Sequence, residues 1–128
     1  MSIRKKFVTN EIGRLLKTIG YKEPCIAAIY GKEEKFIIDI NEIKYNNLFE
    51  NDHFLLPLWQ DVIDWIRNNK KYHIELQTGK KLYTSILYRE RDDGRIGIDI
   101  WSSDEEIEYD KAREIAIIEA IKIINKQV

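Results

Sequence analysis

The stretch from Tyr72 to Trp101 constrains this chain more than any other, because apolar and polar residues alternate through it around two turn signals. Alternation with a period of two is the pattern of strands that bury one face. Asp92-Asp93-Gly94 fits a three-residue hairpin loop whose glycine takes the left-handed bulge position. That loop pairs Arg91 with Arg95 and sets Ile86 and Tyr88 on the same face as Ile96, Ile98 and Ile100. A three-residue loop at Thr78-Gly79-Lys80 adds Tyr72, Ile74 and Leu76 to that face. The pattern therefore predicts a three-stranded antiparallel meander with its isoleucines turned inward. A one-residue slip would send every side chain of a strand to the opposite face, so this register buries the largest apolar set.

Helical signals surround the meander. Thr9 is a good N-cap for a helix over Asn10–Ile19, in which Ile12, Leu15, Leu16 and Ile19 form one stripe. Gly20 supplies the left-handed residue past its end, Tyr21 packs back over the last turn, and Pro24 prevents the helix from resuming. The runs Cys25–Tyr30 and Lys35–Ile40, parted by Gly31-Lys32-Glu33-Glu34, read as an antiparallel hairpin that extends the meander or forms a second small sheet. Asn41–Leu56 has no clear period and is read as a turn of helix or a surface crossing. Pro57 opens a second helix at its first position, with Leu58, Trp59, Val62, Ile63 and Ile66 buried. A third helix runs from about Asp110 to Lys126. Its isoleucines and alanines exceed one stripe, which implies packing on two sides or a share in a dimer. The order is α-β-β-α-β-β-β-α, a single α+β domain over residues 1–128 with helices packed on one face of the meander.

The composition supports a folded chain and withholds the usual functional advertisements. Of 128 residues, 44% are hydrophobic and 34% charged, which excludes disordered and low-complexity readings. Lys and Arg number 21 against 22 Asp and Glu, so no bulk charge points to a nucleic acid or an anionic membrane. The basic start runs into Thr9, Asn10, Glu11 and Arg14 instead of an apolar leader, and no apolar run approaches a bilayer span. A cytoplasmic location follows as the expectation.

The segment Lys-Phe-Val-Thr-Asn-Glu-Ile-Gly-Arg-Leu-Leu-Lys-Thr-Ile-Gly-Tyr-Lys-Glu-Pro-Cys, residues 6–25, resembles the opening of a group of small uncharacterised bacterial and prophage-associated proteins. Those begin Phe-Val-Thr, continue through a short helix, and close on Leu-Gly-Phe-x-Glu-Pro-Cys. Leu56-Pro57-Leu58-Trp59-Gln60 through Trp65-Ile66-Arg67 is similar to their second helix, and Tyr109-Asp110-Lys111-Ala112 to the opening of their last. Residues Ile12 to Arg14 depart from the pattern, where relatives carry small helix formers. The group has no assigned activity, so the resemblance implies a prophage or mobile-element setting and no catalytic residues.

Reactive constellations are sparse. His53 and His73 lack metal-ligand spacing, and the single Cys25 excludes an intrachain disulfide and any multi-thiolate zinc site. No cofactor and no catalytic or metal-binding residue is expected. Cys25 at the start of an apolar strand reads as a core residue. Glu75 and Asp99 are the carboxylates that would serve a metal-dependent nuclease or hydrolase, the weakest alternative, because the accompanying Lys is missing. The acidic run from Asp104 to Asp110 reads as a solvated approach to the last helix, favourable to its dipole.

The outward face of the meander would carry His73, Glu75, Gln77, Tyr83, Ser85, Leu87, Arg89, Asp99 and Trp101. Aromatics among cations on a sheet can stack single-stranded bases, and nucleic-acid binding is the first alternative. The preferred reading is a non-enzymatic accessory protein that binds a protein partner or its own copies. Its expected contact surface is His73, Tyr83, Arg89 and Trp101. Three Trp and seven Tyr exceed what a core of this size needs.

Overall fold

The structure is a computed structural model that describes residues 3–39, 53–79, 82–91, 96–102 and 108–126, with the backbone alone described over 96–102. It is an α+β chain with two antiparallel three-stranded sheets. Its contacts divide it into two compact units, Met1–Trp59 and Gln60–Val128. No helix among the described residues is long and apolar enough to cross a membrane.

The first unit holds a 3-10 turn (Ile3–Lys6), α1 (Asn10–Thr18), β1 (Ala27–Tyr30), β2 (Lys35–Ile38) and β3 (Phe54–Leu55). Both ends of α1 follow from local chemistry. The Thr9 hydroxyl accepts from the Ile12 amide at 3.3 Å. Past the end, Gly20 takes φ +82°. That turns the Tyr21 and Gly20 amides onto the carbonyls of Leu16 and Lys17 at 3.1 and 3.4 Å. Ile12, Leu16, Ile19 and Tyr21 are buried, as the spacing predicts.

The hairpin forms as its sequence implies, with Ala28 opposite Ile37 and Tyr30 opposite Lys35. It builds a second small sheet, ordered β2-β1-β3. The strand β3 comes from the stretch without a clear period, of which residues 41–52 lie outside the described residues, as does Ile40 at the end of the predicted second strand. Phe54 and Leu55 pair with Ile29 and Ala28, and all four are buried. A methyl group at Gly13 would stand 2.7 Å from the Phe54 ring and 3.0 Å from the Leu55 carbonyl, so α1 meets β3 at a residue with no side chain.

The second helix, α2 (Trp59–Lys70), starts later than Pro57. The reason is a competing partner for the backbone. The Pro57 carbonyl accepts the Val8 amide at 3.0 Å, and Leu58 forms an antiparallel bridge with Phe7. Leu58 therefore leaves the buried stripe and is 41% exposed. The Trp59 indole donates to the Lys5 carbonyl at 3.0 Å within the first unit.

The second unit continues with β4 (Tyr72–Thr78), β5 (Tyr83–Glu90), β6 (Ile96–Ser102) and α3 (Tyr109–Lys126). The three strands form the meander β4-β5-β6, and α3 packs on β5 and β4. Two details of register differ from the alternation argument. Between β4 and β5 the Gly79 amide donates to the Leu82 carbonyl at 2.8 Å, which continues the ladder beyond Thr78 opposite Tyr83. Thr78 and Gly79 therefore belong to the ladder instead of a Thr78-Gly79-Lys80 loop, and Tyr72 stands opposite Arg89 instead of Ile86. Between β5 and β6 the predicted Glu90–Ile96 pair forms, but shifts follow and bring Leu87 opposite Trp101. The loop residues Asp92, Asp93 and Gly94, the side chains of Ile96, Ile98 and Ile100, and the acidic run from Asp104 lie outside the described residues.

Candidate interaction surface

The β4–β5 register decides which side chains can act together. Residues opposite one another in antiparallel strands share a face. Tyr72, Ile74 and Leu76 accordingly lie with Arg89, Leu87 and Ser85, while His73, Glu75 and Gln77 lie with Tyr88, Ile86 and Thr84. Ser85 and Leu87, expected outward, are fully buried. The Ser85 hydroxyl donates to the Ala112 carbonyl at 2.6 Å, which places that face of β5 under α3.

The four residues expected to form one contact surface are therefore divided. Tyr83 and Arg89 share the α3 side of β5 but stand six residues, or roughly 20 Å, apart along the strand. His73 is on the other side, where its Nε2 lies 3.2 Å from Glu90 Oε2. Trp101 pairs through its backbone with Leu87, and its side chain lies outside the described residues. The division also separates Tyr83 from His73 on the sheet that base stacking would require, and it groups His73 with two carboxylates, Glu75 and Glu90.

Tyr83 instead joins a cluster that alternation did not disclose. Its ring meets Tyr109 edge-on, with centroids 5.6 Å apart and planes at 76°. The Arg113 guanidinium lies 5.3 Å from the Tyr109 ring centre and donates to Asp110 at 3.1 Å. Tyr109 opens α3 and Arg113 follows four residues on, a spacing that stacks side chains on one helix face. The Ser85–Ala112 bond fixes the first turn of α3 against β5, which brings Tyr109 to Tyr83. Tyr109 remains 45% exposed. The Tyr109–Arg113 spacing was the available sequence signal for this cluster.

The first unit carries a second set of polar and aromatic contacts. The Arg4 guanidinium donates to the Val8 carbonyl at 2.8 Å and to Asn10 Oδ1 at 2.6 Å, and lies 5.1 Å from the Phe36 ring centre. Burial lowers its pKa from the ordinary arginine value. Asn10 in turn donates to Glu34 at 3.5 Å, and Arg14 forms an ion pair with Glu34. Glu34 has φ +54°, so these partners hold a residue without glycine's freedom in the left-handed turn. A shallow depression of about 430 Å³ lies beside this turn, lined by Tyr30, Gly31, Lys32, Glu33, Lys35 and His53. The Tyr30 and His53 rings meet there at 4.9 Å, and the Lys17 ammonium donates to the His53 carbonyl.

The remaining reactive candidates are Cys25, Glu75 and Asp99. Cys25 is buried beside the Glu23 carbonyl. Glu75 and Asp99 occupy β4 and β6 on the same face and on either side of β5, with backbones two strand spacings, roughly 10 Å, apart, and the Asp99 side chain lies outside the described residues. Among the described residues no three His, Cys, Asp or Glu side chains group to hold a metal ion. Comparison with protein-family models, curated proteins and solved structures finds no match to this chain.

Proposed function

We propose that the chain is a non-enzymatic accessory protein that works through protein contacts, with the Tyr83–Tyr109–Arg113 cluster as its anchor. The observation that carries this reading is the exposed Tyr109, supported edge-on by Tyr83 and flanked by Arg113. Tyrosine and arginine held rigidly against a packed element lose little freedom on binding, and such residues dominate the energetics of protein interfaces. A prophage or mobile-element setting accompanies the proposal, on the strength of the sequence resemblance described above.

Affinity capture from the native bacterial lysate tests it, with wild type, Tyr109→Ala and Ile3→Ala run in parallel. Ile3 is an exposed apolar residue of the first unit and serves as the control. A protein retained by wild type and Ile3→Ala but lost with Tyr109→Ala supports the reading, provided both variants melt as wild type does. A set of captured proteins indifferent to Tyr109→Ala contradicts it.

A further inference from the structure

The outer edge of β2 has a pattern that fits a second copy of this same edge. Among the described residues no strand pairs with it, since the sheet order is β2-β1-β3. The direction of its backbone groups follows from two bonds. The Asp39 amide donates to Ile26, and the Leu56 amide donates to Ala27. Even-numbered residues of β1 therefore point their backbone groups at β2 and odd-numbered ones at β3. In antiparallel pairing the partner residues point back in alternation, so Lys35, Ile37 and Asp39 face β1. The amides and carbonyls of Phe36 and Ile38 face outward.

We infer that two copies join β2 to β2 antiparallel about a two-fold axis at Ile37, giving a continuous six-stranded sheet. In this register Phe36 of each copy exchanges two backbone hydrogen bonds with Ile38 of the other. Ile37 meets its own equivalent, and Lys35 stands opposite Asp39 at both ends. A two-fold contact requires such self-complementarity. Ile37 is 41% exposed, and the Lys35 side chain is 71% exposed. A strand with apolar Phe36-Ile37-Ile38 at its centre and no proline is the kind of edge that natural sheets otherwise blunt.

The alternative registers fail on the same observations. A one-residue slip would set outward groups against inward ones and form no ladder. An axis at Phe36 would need Glu34, whose φ of +54° takes it out of the strand. An axis at Ile38 would set Ile37 against Asp39 and lose the opposite-charge pairs.

Sedimentation of the full chain over a concentration series tests the inference through charge reversal. Wild type should show a reversible monomer–dimer equilibrium. Lys35→Asp should weaken it roughly tenfold, because two cross-strand pairs change from attractive to repulsive. Lys35→Asp with Asp39→Lys should restore it to within about threefold, since the two opposite-charge pairs return. Ile37→Lys, which puts like charges face to face on an already exposed position, should abolish the dimer while leaving the thermal midpoint close to wild type. If the charge variants fold poorly, oxidation of Ile37→Cys supplies the second measurement. It should give a disulfide-linked dimer absent from wild type, whose Cys25 is buried. A monomer at every concentration, a dimer indifferent to these changes, or a double reversal that fails to restore it would overturn the inference.

Discussion

Ser85 donates its hydroxyl to the carbonyl of Ala112 at 2.6 Å, with both residues fully removed from solvent. This bond ties the first turn of α3 to the middle strand of the meander. Ser85→Ala should destabilise the chain by about 1 kcal/mol, the usual net value of a buried neutral hydrogen bond. Chemical denaturation reads this directly. Ser85→Val should cost more, because the site is closed and the added methyl groups have no space.

Gly13 lies where α1 meets β3, and a Cβ there would come within 3.0 Å of the Leu55 carbonyl and 2.7 Å of the Phe54 ring. Alanine is the better helix former by about 1 kcal/mol, so a free helix would gain from Gly13→Ala. The steric conflict with backbone outweighs that gain. The expected outcome is a net loss of about 1–2 kcal/mol, of the size seen for overpacked cores. An unchanged or raised midpoint of denaturation would refute the close approach.

The Tyr72 hydroxyl is buried without a hydrogen-bond partner among the described residues. Its desolvation is then uncompensated, and Tyr72→Phe should be neutral or stabilising by up to about 1 kcal/mol. A loss beyond that, measured by the same denaturation curve, would mean that the hydroxyl has a partner.

Arg4 bonds two acceptors at once, the Val8 carbonyl and Asn10 Oδ1, while lying against Phe36. A lysine keeps the charge but has neither the fork nor the flat face. Arg4→Lys should therefore cost about 1–2 kcal/mol, in the range of hydrogen bonds to charged groups. Arg4→Met should cost more, since the Val8 carbonyl and Asn10 then lose their donor. Equal stability of wild type and Arg4→Lys would show that the fork contributes nothing.

The elements legible in the sequence are those whose limits are set within a few residues. Thr9, Gly20 and Gly31 mark the ends of α1 and the β1–β2 turn by chemistry that tertiary structure did not alter. What escaped the sequence depends on distant partners. Leu58 leaves α2 because Phe7 pairs with it, and β3 exists because β1 offers it an edge. The β4–β5 register differs from the alternation pattern for a more instructive reason. Gly79 suggested the centre of a turn, yet it continues the ladder opposite Leu82. Apolar burial could not arbitrate, because Ile86 on one face and Leu87 on the other are both buried. With that odd-numbered shift, Tyr83 left the face of His73 and met Tyr109, which alternation alone could not foresee.

The central claim, that Tyr109 on its Tyr83–Arg113 support anchors a protein partner, is tested most directly by calorimetric titration of the captured partner into wild type and Tyr109→Ala. The account predicts at least a roughly tenfold loss of affinity in the variant, as expected for a dominant interface residue, with its thermal midpoint preserved. Equal affinities for the two proteins would contradict it.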